Sequence, residues 1–144
     1  MASATEITNG LFEAWKARDY EKAASFYAED VEITSPGGVL ARGRAAARDY
    51  VRAWGEAFFD LQRIVHRCYD AGQAVIAEGT LVGTHTGSFQ MSSGVVVRAT
   101  NRRVKIRFCE TFVVQSGFVV RDRLYFDQVE LLSQLSVLSA TDRA

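Results

Sequence analysis

Two kinds of spacing divide the chain. Up to Phe59 the apolar residues recur mostly at helical intervals; beyond Asp60 they alternate or run together in strand-like blocks. Ile7, Leu11, Ala14 and Trp15 share one helical face behind Ser3 and Glu6, which have capping-box spacing, so a helix is predicted from there to about Asp19. A short second helix fits Tyr20 to Tyr27. Val31 to Ser35 alternates as a strand and stops at Pro36-Gly37-Gly38, a turn. From Gly43 to Phe59 the stripe Ala47, Tyr50, Val51, Trp54 and Phe58 predicts a third helix. LQRIVHRCYDA, QAVIAEGTLVGTHTGSF, RRVKIRFCETFVVQ and FVVRDRLYF then read as strands, with turns at Gly72-Gln73 and Ser116-Gly117. Ser88 to Asn101 reads as a loop or irregular hairpin, and Gln128 to about Leu138 as a closing helix. Helices first and consecutive antiparallel strands after them indicate an α+β fold in one domain, residues 1–144, without repeats or linkers. A curved sheet wrapped around helices leaves a cavity at its open end, where small molecules commonly bind.

Composition removes several classes of partner. The 17 basic and 17 acidic side chains cancel, so no net field draws the chain to nucleic acid or to an anionic membrane. No apolar run approaches the roughly 20 residues of a membrane helix. The N-terminus lacks a basic segment followed by an apolar one, so no signal peptide is expected and the chain reads as cytoplasmic. Cys68 and Cys109 form no CxxC pair, and with only two histidines besides they offer no zinc site; reduced, buried thiols are expected. The run Arg98, Arg102, Arg103, Lys105 and Arg107 has no aromatic residues on its face and reads as a solvated hairpin.

What remains is proton chemistry. Asp127 stands where the last strand becomes the last helix, three residues before Glu130, so it fits an N-cap as well as it fits an acid/base group. The two roles oppose each other electrically, because helix amides stabilise a carboxylate and an apolar pocket destabilises it. At strand spacing Asp127 shares a side with Tyr125, Arg123 and Arg121, which is either a polar-lined pocket or the solvent face. His85 shares its side with Gly79, Gly83 and Gly87, small residues that could leave room for a ligand beside the imidazole. Glu110 alternates with Phe108 and Phe112, and its expected partner is Arg121 or Arg123 across the Ser116-Gly117 hairpin. His66 has no partner that spacing can name. No GxSxG elbow or activated cysteine supports nucleophilic hydrolysis.

YAEDVEITSPGG, LVGTHTGSF, FCETFVVQSGFVV and LYFDQVELLSQL together resemble the SnoaL-like polyketide cyclases, relatives of ketosteroid isomerase, scytalone dehydratase and limonene-epoxide hydrolase. The resemblance runs from the first helix to Leu135 and implies a cone-shaped antiparallel sheet around the N-terminal helices. It further implies cofactor-free, metal-free aldol ring closure of a hydrophobic carbonyl compound in a homodimeric enzyme. Asp127 would then be the acid/base and His85 the group that orients or protonates the substrate oxygen. Trp15, Phe26, Tyr27, Trp54, Phe58 and Phe112 would supply apolar walls, with Glu110, Arg123 and Tyr125 at the substrate. The marks of neighbouring enzymes are missing: Ser35 precedes Pro36 where the isomerases carry aspartate, and Gly83-Thr84-His85 replaces the Arg-x-Asp of the epoxide hydrolases. Arg121 and Arg123 also depart from the cyclases, at positions where an acidic residue and often an aromatic are expected.

Overall fold

The computed structural model describes residues 2–138. Helix α1 (Ala4–Lys16) starts on the expected capping box: the Glu6 amide donates to Ser3 Oγ and the Ser3 amide to Glu6 Oε2. Its buried face is Ile7, Leu11, Ala14 and Trp15. Helix α2 (Tyr20–Ala24) follows, capped by Asp19. Strands β1 (Tyr27–Ser35) and β2 (Val39–Arg42) form a hairpin around the proline turn, and only the second of them escaped the sequence pattern. Helix α3 (Arg44–Ala57) then carries Tyr50 and Trp54 four residues apart on one side, with Phe58 at its C-cap.

The long strands are β3 (Gln62–Ala71), β4 (Ala74–Thr84), β7 (Arg103–Gln115) and β8 (Phe118–Phe126); β5 (Phe89–Gln90) and β6 (Val96–Val97) make a small separate hairpin. Helix α4 (Gln128–Gln134) is shorter than the periodicity suggested. The six-stranded sheet has the order β2-β1-β8-β7-β4-β3. It is mixed rather than wholly antiparallel, since β1 runs parallel to β8 with Ile33 opposite Asp122. Register shifts at Val65/Arg67 and Val113/Val114 add local bends, as bulges do, and the sheet curls its inner face around α1 and α3.

Alternation decides what reaches the interior. On β7, Val104, Ile106, Phe108, Glu110, Phe112 and Val114 are buried, while Lys105 and Arg107 face outward and are exposed. On β8 the inward set is Val119, Asp122 and Leu124, while Arg121, Arg123 and Tyr125 face solvent. Two acidic residues therefore sit in rows otherwise filled by Phe, Val, Ile and Leu. Among the described residues no helix is long and apolar enough to cross a membrane.

Candidate functional site

Glu110 and Asp122 lie diagonally across the β7–β8 pair, because Glu110 faces Leu124 and Phe112 faces Asp122 in the register. Arg63, from β3, crosses the inner face and binds Glu110 Oε1 through Nε at 3.1 Å and Nη2 at 3.0 Å. Both side chains of this ion pair are nearly buried. The guanidinium packs on the Phe12 ring at 3.6 Å and beside Phe108 at 4.9 Å, where aromatic faces replace the water it has lost. Glu110 thus pairs with Arg63 and not with Arg121 or Arg123, whose strand parity turns them to the opposite face.

Asp122 is 1% exposed and accepts a hydrogen bond from Tyr27 Oη at 2.9 Å through Oδ2. Arg44 Nε in turn donates to the Tyr27 carbonyl and ties the start of β1 to α3. Asp122 Oδ1 has no partner of ordinary hydrogen-bond geometry. Burial pushes the Asp122 carboxyl well above the usual carboxylate range, and the Glu110 carboxylate adds to this by its charge and as an acceptor for the protonated acid. Arg63 pulls the other way but does not prevail. Burial, then the Asp122 charge, likewise hold the Tyr27 phenol protonated.

Two spaces adjoin this cluster. An inner void of about 50 Å³ is lined by Tyr27, Arg63, Glu110, Asp122, Tyr50 and Trp54, with Trp15, Leu11 and Leu124 closing it. An outer cavity of about 300 Å³ is walled by Trp54, Phe58, Phe89, Met91, Phe126 and Leu131 among others, with Ser35, Gln90, Ser92 and Gln128 as its polar margin. Tyr50 and Trp54 belong to both linings and form the partition. Trp54 is fixed there by edge contact with Phe126 and stacking on Phe58. The β5–β6 hairpin, foreseen as a loop or irregular hairpin, supplies one wall, and Ser92 Oγ ties it to the Gly37 carbonyl.

The residues singled out by pattern fall in different places. Asp127 is exposed, lines neither space, and accepts the Glu130 amide at 3.1 Å, so of its two open roles the cap is visible. Tyr125 is 54% exposed and Arg123 is exposed too, on the outer face beside Asp127. His85 is fully buried, tilted between Phe58 and Phe89 behind the outer cavity wall. Its Nδ1 accepts the Thr100 amide at 3.1 Å, and burial lowers its pKa, so it is neutral at neutral pH. The glycines on its side do not leave ligand room. A Cβ at Gly79 would lie 1.9 Å from the Ile64 carbonyl oxygen, and one at Gly87 would lie 2.1 Å from that of Glu56, so these are close backbone approaches. Trp54 and Phe58 line the outer cavity, Trp15 and Glu110 the inner void, and Phe112 is packed in the core against Phe12. His66 has a partner after all, Thr80 Oγ1 at 2.9 Å, and Cys68 is exposed rather than buried.

Asp122, Tyr50 and Arg63 are the additions that spacing did not single out. The available signal was an acidic residue at an inward position of β8, in phase with Leu124. No group of three or more His, Cys, Asp or Glu side chains is gathered for a metal among the described residues.

The sequence matches the description of SnoaL-like polyketide cyclases over residues 5–135. The chain belongs to the SnoaL-like polyketide cyclase family. Solved structures with the same fold include a candidate SnoaL-like polyketide cyclase from Jannaschia sp. CCS1, with a TM-score of 0.81 and 17% identity over 94% of this chain and 93% of that one. AclR from Streptomyces galilaeus, a candidate hydroxylase, has a TM-score of 0.74 and 23% identity over 94% and 97%. An LEH-like epoxide hydrolase from M. tuberculosis has a TM-score of 0.69 and 20% identity over 92% and 89%. At such identities the likeness is one of fold, and these family neighbours are named for different reactions. No curated protein matches the chain.

Proposed function

We propose that this SnoaL-like chain is a cofactor-free acid/base catalyst that acts on a hydrophobic carbonyl compound, with ring-closing aldol chemistry as its reaction type. One observation carries the reading: Asp122 is buried, held by Tyr27 and set beside the Arg63–Glu110 pair, with its carboxyl pushed well above the usual range, behind an apolar cavity large enough for a small ring system. An apolar site keeping a carboxylic acid neutral at neutral pH makes it a proton donor.

In a ring closure the enol carbon of the substrate attacks a carbonyl carbon within the same molecule. The carbonyl π pair becomes an alkoxide, which takes the Asp122 proton, and the enol O–H proton then returns to the Asp122 carboxylate. The proton count closes without an external reagent. Arg63 keeps Glu110 paired throughout, so the second carboxylate raises the basicity of the first without leaving the site.

The test uses 2-tetralone, a bicyclic ketone with acidic α-hydrogens, and follows their replacement by deuterium in D2O by NMR. As Asp122 gives its proton to the ketone oxygen, solvent water in the cavity takes the α-hydrogen, so wild-type protein is expected to accelerate exchange, and Asp122→Asn, which can still accept from Tyr27, is expected to lose about 10²-fold or more of that acceleration. Exchange that is unaffected by Asp122→Asn, or absent while 2-tetralone binds, would leave a ligand-binding module in place of a catalyst.

A further inference from the structure

The acid and the space for substrate are not in contact. Asp122 and Glu110 line the inner void and neither lines the outer cavity. Of the residues that line the outer cavity, all described, Tyr50 alone has a titratable side chain. Its hydroxyl is buried, lacks a hydrogen-bond partner of ordinary geometry, and stands at the partition that the two spaces share. Across the inner void lies Asp122 Oδ1, which has no hydrogen bond of ordinary geometry although the Glu110 carboxylate is near enough to act on this carboxyl. The void has about 50 Å³, against the roughly 30 Å³ that one water occupies in the liquid. It is too small for a ring, and although its lining is largely apolar it includes two residues whose buried oxygens lack ordinary partners, which is costly unless something such as water meets them.

We infer that Tyr50 is the group that hands the proton to the substrate, and that a water bound in the inner void relays it from Asp122. The inference rests on Asp122 being the acid of the proposed function. As the substrate oxygen gains negative charge, Tyr50 O–H gives it its proton. The relay water gives a proton to the Tyr50 oxygen, and Asp122 gives its own to the water. Three O–H bonds break and three form, Tyr50 and water are restored, and the net change is one proton from Asp122 to substrate. Burial first, and then the charges of Asp122 and Glu110, raise the Tyr50 pKa against the opposing influence of Ser35 and Trp54, and so keep the phenol protonated. A substrate for this arrangement is an apolar ring compound with one oxygen at its inner edge, directed at the Tyr50–Trp54 partition.

Three measurements test this. In the 2-tetralone exchange assay, Tyr50→Phe is expected to lower the saturated rate by about 10²-fold while changing KM by less than about tenfold. The same variant is expected to bind naphthalene as wild type does and 2-naphthol about 3- to 10-fold more weakly, a split that a merely misfolded cavity would not give. A high-resolution crystal structure of the wild-type protein is expected to show water within hydrogen-bond reach of both Tyr50 Oη and Asp122 Oδ1. If Asp122→Asn abolishes exchange and Tyr50→Phe does not, the relay is wrong and the assignment of Asp122 survives. If Asp122→Asn leaves exchange intact, that assignment falls and takes the relay with it. A void without bridging water in the crystal also overturns the relay.

Discussion

Asp122 and Asp127 differ by five positions and have opposite surroundings. One is inward on a strand, among Val119, Leu124 and Tyr27; the other is exposed at a helix start with an amide to accept. Parity, and not residue type, buries the first and leaves the second as a visible cap. The same parity separates Arg63, buried on aromatic rings, from Arg121 and Arg123 in solvent. Removing one member of a buried pair leaves the other uncompensated, so Arg63→Met is expected to lower the unfolding free energy by about 3 kcal/mol or more in chemical denaturation. A loss below about 1 kcal/mol would mean that the pair is solvated.

Among elements, the helices and long strands were legible because their periods are strong: the capping box at Ser3, the stripe on α3 and the turns at Gly72 and Ser116 all follow from spacing. Strand β2 is four residues long and half-exposed, too short to show a period. The parallel β1–β8 pairing joins segments about 90 residues apart, which no local pattern encodes. The site was harder to read for the same reason. Glu110 was singled out from its aromatic neighbours, but its true partner comes from β3, forty-seven positions away. Asp122 is in phase with Leu124, but which elements pack against that face is a tertiary fact that spacing does not encode. Helix α4 offers a direct check on the cap: Asp127→Ala is expected to cost about 1 kcal/mol of stability and to leave 2-tetralone exchange within a factor of two of wild type. A loss of exchange in that variant would return Asp127 to the chemistry.

At the scale of the whole molecule, a curved sheet closes around α1 and α3 and leaves an apolar chamber with a smaller space behind it that Asp122, Glu110 and Arg63 help to line. Burying the Asp122 carboxyl there works against stability. Between the ordinary carboxylate pKa and the raised value in the fold, the folded protein holds a proton on Asp122 that the unfolded chain has lost. Stability contributed by this group is therefore greatest in acid, falls as pH rises through that window, and levels off above the folded pKa. Whether Asp122 is a neutral acid at neutral pH is read directly from its carboxyl titration by carbon-13 NMR, assigned by the signal lost in Asp122→Asn. A midpoint well above the unperturbed value of about 3.9 is expected. A midpoint at or below that value would show an ordinary carboxylate and would contradict the proposed role of Asp122.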